Sequence, residues 1–430
     1  DLLWRYCGVR SAITSINLAV DGYDHYEFLD DSSPIRGYFD YERLAAELHS
    51  QFPEERLGID LYLNTVQQIC SQVPFYDTSL ELTPFLRGYK EPTTPLCDFL
   101  GKHIRNPRLR TVLEAPAFLY CVPLSSASLE VHGLVSHGYY SGAWTVAGGG
   151  QAIVDAFLNR LENAGVSLLA GQEVVSILTE RNGIRGVRLS GGETINCQQV
   201  IYTGHPSTLI SRVPEKTFRP AYCHRLEGLR NTLSMFAVFA EAEKKVNTLS
   251  GALNYYFMPL ECDVLQTVEP KQRPMMFTST RTDRDGVLSG GENGIILLRL
   301  GIWQDVERFA DSTRSSRTEE YERFKMEMAA EMIETAEQRW GNLTGTIQLR
   351  AAGTPLTFRD ELSAPEGCTY GAMHCLDQYT PEVRTRLPGL YLAGQSTLMT
   401  GVVGASISGM VAAGEILGLE ELWTEVRSCR

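Results

Sequence analysis

Pro388-Gly389-Leu390-Tyr391-Leu392-Ala393-Gly394-Gln395-Ser396-Thr397 is followed, after three residues, by Gly401-Val402-Val403-Gly404-Ala405-Ser406-Ile407-Ser408-Gly409. The first stretch reads as a short buried strand that ends in a glycine turn. The second reads as a helix that opens on glycine and runs from Gly404 to Leu417. A helix N-terminus presents free N–H groups and the positive end of the dipole. Glycine at the turn lets a flat or anionic ligand approach the backbone closely. Ala405, Gly409 and Ala413 lie four apart, so one face of the helix is bare and suited to tight packing. From the residues alone, two readings stand: a ligand site at the helix mouth, or a close helix–strand contact in any α/β domain.

A second glycine-rich block lies upstream. Gly148-Gly149-Gly150-Gln151-Ala152-Ile153 leads into a helix with Ile153, Phe157 and Leu161 on one face, closed by Ala164-Gly165. Short strands are expected at Val166–Leu169, Val174–Leu178, Ile184–Leu189, Thr194–Cys197 and Gln199–Tyr202. Asn182-Gly183 and Gly191-Gly192 supply hairpin turns. The block ends at Thr203-Gly204-His205-Pro206.

The remainder alternates helix and strand. Residues 40–73 read as helical, with Tyr41, Leu44, Leu48, Ile59, Tyr62, Leu63, Val66 and Ile69 at helical spacing. A short strand is expected at Tyr26–Leu29, and helix again over Leu96–Leu113, restarted at Asn106-Pro107. Leu233–Phe239 and Gly294–Trp303 read as strands of a second sheet. Thr318–Arg339 is an amphipathic helix with Tyr321, Phe324, Met328, Met332 and Ala336 on its apolar face.

Composition narrows the function classes. The chain has 430 residues, 43% hydrophobic and 21% charged, enough for two or three domains with a large core. A formal net charge of −13 argues against nucleic acid and against attraction to anionic lipid. It leaves open an apolar patch that touches a membrane. No apolar run reaches 18 residues, so no spanning helix is expected. The ten cysteines form no CxxC and no metal spacing, which reads as reduced, mostly buried thiols in a cytoplasmic protein, membrane-associated or not. No signal for an oligomeric state is present.

The order and spacing of these blocks resemble the phytoene desaturase, carotenoid isomerase and retinol saturase group of the amine-oxidase superfamily. Ala393-Gly394 and Gly401-Val402-Val403-Gly404-Ala405, with Ser408-Gly409 and Ala412-Ala413, resemble its C-terminal FAD motif, with Gln395 in place of the usual acid. Gly148–Ile153, Gly171–Ile177 and Val200–Pro206 resemble its second FAD block. Tyr139-Tyr140-Ser141-Gly142-Ala143-Trp144 and Thr354-Pro355-Leu356-Thr357-Phe358-Arg359 resemble the saturase and isomerase branch, as do Pro365-Glu366-Gly367 and Tyr370-Gly371.

The resemblance implies an α/β fold of mixed α+β character. A GR2-type FAD-binding domain, incomplete at its N-terminus, would be interleaved with a substrate domain of sheet plus helices. It divides the chain into 1–144 (substrate and helical part), 145–210 (second FAD block), 211–384 (substrate domain) and 385–430 (C-terminal FAD block). It places FAD against Val174, Thr203, Gly204, Gly394, Gln395, Gly401, Val402, Val403 and Gly404. An apolar small-molecule substrate would lie along Tyr139, Tyr140, Trp144 and Phe358. The implied activity is hydride transfer at flavin N5 to or from a long polyene, which needs alignment more than a dedicated base.

Arg359 and Glu366 lie near the expected flavin face as candidate catalytic residues, and His137, His205 and His374 are further candidates. Flavin amine oxidases and prenyl-binding Rab GDP-dissociation inhibitors share the architecture and are the alternatives. The family also opens on a GxGxxG βαβ unit. No GxGxxG occurs, and the chain begins with Asp1. The expectation is therefore a missing N-terminal FAD block, with poor FAD binding and no activity for this chain alone.

Overall fold

The structure is a computed structural model that describes residues 1–28, 34–88, 91–180, 183–242, 254–258, 269–280, 293–339 and 343–429. Leu29, Asn182 and Cys262 lie outside the described residues.

Fourteen strands are present among the described residues. They are β1 (Ser15–Asn17), β2 (Asp24–Phe28), β3 (Ile35–Gly37), β4 (Trp144–Val146), β5 (Val174–Glu180), β6 (Gly183–Leu189), β7 (Thr194–Asn196), β8 (Val200–Tyr202), β9 (Ser234–Ala242), β10 (Asn254–Met258), β11 (Met275–Thr280), β12 (Asn293–Gly301), β13 (Ile347–Gly353) and β14 (Leu390–Leu392). Seven of them form one sheet in the order β13-β9-β12-β11-β10-β2-β3. Only the β10–β2 pair is parallel.

Side chains alternate across this sheet. Tyr26, Phe28, Tyr256, Met235 and Leu300 face a helical layer drawn from residues 41–140. Tyr255, Phe257, Phe236 and Phe277 face the helix Glu319–Arg339, which contributes Tyr321, Met332 and Ala336 as expected. The strand β2 is thus donated by the N-terminal segment to a sheet built mostly from residues beyond 230.

A smaller unit carries the glycine-rich blocks. The parallel strands β8 and β14 pair Val200 with Leu390 and Tyr202 with Leu392. The hairpins β5-β6-β7 pack on one face of β14 and the helix Gly401–Leu417 on the other, while the helix Gly149–Asn163 packs on Val9, Ile13 and β4. None of the nine described cysteines is in a disulfide.

Several sequence expectations shift. The helix over 40–73 is two helices, Tyr41–Gln51 and Arg56–Cys70, because Pro53 cannot continue the first. Val166–Leu169 forms no strand, and Val166, Leu168 and Leu169 are exposed. The glycine-led helix begins at Gly401 rather than Gly404. Its bare face is not tightly packed: a Cβ built on Gly409 meets nothing within 4 Å.

Candidate functional site

The carboxyl ends of β8 and β14 lie side by side, so Thr203-Gly204 and Ala393-Gly394 emerge together. Open α/β sheets bind ligands just beyond such strand ends. The Ala393 N–H donates to the Tyr202 carbonyl at 3.0 Å and keeps the two chains in register for one further residue. Gly394 then turns with φ +103°, and a Cβ there would stand 3.3 Å from the Thr203 carbonyl oxygen. Both the conformation and the approach favour glycine.

Four buried polar side chains fix that turn. The Ser408 hydroxyl accepts the Gly394 N–H at 2.8 Å. Thr397 Oγ1 donates to the Gly394 carbonyl at 2.8 Å. Ser396 Oγ accepts the Ala372 N–H at 3.0 Å, tying the turn to residues 370–372. His374 Nε2 lies 2.9 Å from the Gln395 carbonyl oxygen, which requires a proton on Nε2. Burial lowers the His374 pKa, so the neutral ring makes this bond. The sequence reading missed Ser396, Thr397 and Ser408 as a set, and it took His374 for a possible acid or base. Only the small polar residues spaced around Gly394 signalled the lock.

The glycine-led helix opens directly onto this turn. Its N-cap residue Thr400 makes no side-chain cap, so the first N–H groups stay available. Gly401 has φ +74°, and a Cβ on it would meet nothing within 4 Å. Gly404 is the opposite case, since a Cβ there would collide with the Met399 carbonyl. Val402 and Val403 are 57% and 64% exposed at the mouth. Uncapped donors beside two uncovered valines fit the polar edge and apolar face of a flat aromatic ring such as a flavin.

The second block presents a similar opening. Gly148 and Gly149 have positive φ, and Cβ atoms on Gly149 and Gly150 would meet nothing within 4 Å. Val174 lies at the exposed start of β5, with its carbonyl accepting from Arg212 at 2.5 Å.

The remaining candidates fall in different places. Tyr140 is buried in the central core, with its hydroxyl 3.3 Å from that of Tyr62. Tyr139 and Phe358 pack against the same core with part of their surface free. Trp144 stands apart from them on β4, 60% exposed. Each nitrogen of the Arg359 guanidinium donates one hydrogen bond, to the carbonyls of Ala310 and Ser312 at 2.7 Å and to Asp360 at 2.7 Å. Glu366 accepts from Asn231 at 2.9 Å from a left-handed position, φ +53°. The Gln395 amide points to the Thr369 carbonyl at 3.5 Å. His137 is hydrogen-bonded to Tyr41 at 2.7 Å, and His205 to Ser207 at 2.7 Å.

Comparison with known proteins agrees with this geometry. Residues 98–417 match the family described as flavin containing amine oxidoreductase. The all-trans-retinol 13,14-reductase of Macaca fascicularis is 24% identical over 409 residues, covering 86% of this chain and 67% of its own length. The chloroplastic prolycopene isomerase of Arabidopsis thaliana is 23% identical over 428 residues, covering 91% and 68%. Among solved structures, an oxidoreductase from Methanosarcina mazei superposes with a TM-score of 0.62 at 13% identity, over 93% of this chain and 82% of its own. Putrescine oxidase bound to putrescine gives 0.59 at 14% identity, over 96% and 84%.

Together with the family match over residues 98–417, the mixed α/β fold with glycine turns at two adjacent strand ends makes this a flavin-dependent oxidoreductase. The chain belongs to the flavin containing amine oxidoreductase family, and its cofactor is FAD.

Proposed function

We propose that the chain acts on a long apolar polyene of the carotenoid or retinoid kind, by desaturation, saturation or isomerisation, with the flavin ring at the mouth of the Gly401–Leu417 helix. FAD, when bound, supplies hydride exchange at its N5 atom. Gly394, Gln395 and Gly401–Gly404 would hold the ring and its side chain, Thr203 and Gly204 would sit beside the pyrophosphate, and Val174 would face the adenine. Residues 145–210 and 385–430 would then form the FAD-binding unit, and 1–144 with 211–384 the substrate-binding part.

One observation carries the polyene reading. Tyr139, Met276, Leu298, Phe358 and Tyr370 all pack against the central core yet keep part of their surface uncovered. We infer that they line an apolar wall that starts beside the Gly394 turn, where Gly371, next to Tyr370, abuts Ser396. Such a wall aligns a rigid conjugated chain by shape and dispersion, without a charged anchor. The reductase and isomerase names of the relatives point the same way.

The test is product analysis with the flavin-loaded protein. All-trans-retinol, phytoene and cis-lycopene are supplied in turn, with a two-electron donor or acceptor, and putrescine serves as the amine control. Conversion of at least one polyene and none of the amine is expected. Amine oxidation without polyene turnover would overturn the reading in favour of an amine oxidase.

A further inference from the structure

The outer face of β5-β6-β7 carries a cavity that neither the flavin nor the polyene reading uses. Its volume is about 490 Å³, and Leu178, Arg185, Arg188, Thr194, Asn196 and Pro214 contribute to its walls. In a regular strand, residues three apart lie on opposite faces, so Arg185 and Arg188 would be separated by the sheet. A β-bulge prevents this. Leu178 pairs with Gly186 and Thr179 with Ile184, which leaves Arg185 as the extra residue on β6. Ile184 and Val187 both turn into the core, and both arginines are left exposed on the other side.

Two cross-strand rows complete the outer face. Ser176, Arg188 and Thr194 lie opposite one another, as do Leu178, Gly186 and Asn196. Gly186 is a bare floor, since a Cβ there would stand 2.4 Å from the Ile195 carbonyl oxygen. The polar groups around it are unengaged. Among the described residues Arg188 has no carboxylate partner, and neither Thr194 nor Asn196 uses its side chain in a hydrogen bond. Arg185 reaches Glu180 at 3.5 Å, but these side chains are 61% and 67% exposed, and such a pair contributes little. In a chain of net charge −13, two arginines on one cavity make a local positive field.

We propose that this cavity binds a nucleoside phosphate. Arg185 and Arg188 donate to the phosphate oxygens, which guanidinium groups match by forked hydrogen bonds. Leu178 and Pro214 cover the apolar faces of sugar and base, and the Thr194 hydroxyl and Asn196 amide meet their polar edges. The volume is that of a small-molecule site, and an inorganic ion would fill only a small part of it. The inner face of the same unit packs Ile177 and Ile184 on Leu390 and Leu392 of β14. The cavity therefore opens away from the strand that carries the Gly394 turn, and the proposal stands apart from the polyene reading.

The experiment is isothermal titration calorimetry of the purified protein with ADP, adenosine and inorganic phosphate as separate probes. ADP is expected to bind about tenfold or more tightly than either of the others. Arg188→Ala should weaken ADP about tenfold and Arg185→Ala by several-fold, while Glu180→Gln should tighten it by removing a competing carboxylate. Arg314→Ala is the control for general charge. It removes an arginine that is 79% exposed and paired with Glu361, and should leave ADP binding as in wild type. Flavin content should be equal in Arg188→Ala and wild type, and thermal unfolding checks that each variant is folded.

ADP binding that survives intact in Arg188→Ala would overturn the proposal by placing the nucleotide elsewhere. Equal weakening by Arg314→Ala would reduce it to unspecific attraction. Inorganic phosphate as tight as ADP would overturn the nucleoside class, and failure of every probe to bind would overturn the site. Flavin lost together with ADP affinity in Arg188→Ala would make the cavity part of the cofactor site and contradict its separateness.

Discussion

Ser408, two turns into the glycine-led helix, is hydrogen-bonded to both backbone polar groups of Gly394 at the end of β14. Its oxygen accepts the Gly394 N–H at 2.8 Å and lies 3.1 Å from the Gly394 carbonyl and 2.9 Å from that of Ala405. A strand, a turn and a helix are thereby held in one geometry by a single fully buried hydroxyl.

Ser408→Ala leaves the partly buried Gly394 N–H without its side-chain partner. The expected cost is about 1–3 kcal/mol of stability. Urea unfolding measures this, and the flavin-to-protein ratio of the purified variant should fall with it, because the turn proposed to carry the ring loosens.

Two glycines of the helix, Gly409 and Gly404, should respond in opposite directions. Gly409→Ala adds a methyl group where nothing lies within 4 Å and removes a flexible residue from a helix interior. A gain of up to about 1 kcal/mol is expected. Gly404→Ala drives a methyl group into the Met399 backbone, and a loss of about 1–3 kcal/mol is expected. Denaturation midpoints of the two variants decide the matter.

Asp24 gives stability a pH dependence of defined sign. Burial raises its pKa from 3.8 to about 7 in the folded protein. Between those values the folded state keeps a proton that the unfolded state has lost, so stability falls as pH rises. Burial lowers His132 from 6.5 to about 4, which has the opposite effect: its contribution is complete above 6.5 and is lost as pH falls towards 4. Asp24→Asn removes only the first effect. From pH 4 to pH 7 the variant should gain on the order of 4 kcal/mol relative to wild type. Urea unfolding of both proteins at pH 4, 5, 6 and 7 measures the difference, and parallel curves would contradict it.

Arg273 and Asp305 form a bidentate pair at 2.6 and 2.9 Å, 3% and 8% exposed, which ties the segment before β11 to the turn after β12. Arg273→Ala strands the carboxylate in the interior and should cost about 3–5 kcal/mol. The double change Arg273→Met with Asp305→Leu should cost less, as a double-mutant cycle in chemical denaturation will show.

Legibility in the sequence followed physical locality. The Glu319–Arg339 helix, β12 and the glycine-led helix were readable because their apolar periods are long and uninterrupted. The joining of β8 to β14, nearly 190 residues apart, left no trace in either strand's own pattern. The same holds for β2, a strand from the N-terminal segment that pairs with β10. The Gly394 turn, proposed as the cofactor turn, was visible through its glycines, whose backbone role is local. The buried set of His374, Ser396, Thr397 and Ser408 was not, because ordinary polar residues acquire their role only when tertiary packing removes water. Asp24 and Asn254 were missed for the same reason. They look like turn residues until the parallel pairing of β2 and β10 places them side by side.

The central claim is that the mouth of the Gly401–Leu417 helix lies against the flavin. Val403→Glu tests it most directly, since an acid in the first turn favours the helix by about 0.3–1 kcal/mol but sets a negative charge against the bound ring. The measurement is the flavin content of purified wild type and variant, read from absorbance at about 450 nm. Flavin-loaded wild type beside a folded, colourless variant is the result expected. A Val403→Glu protein that holds flavin as fully as wild type would contradict the account.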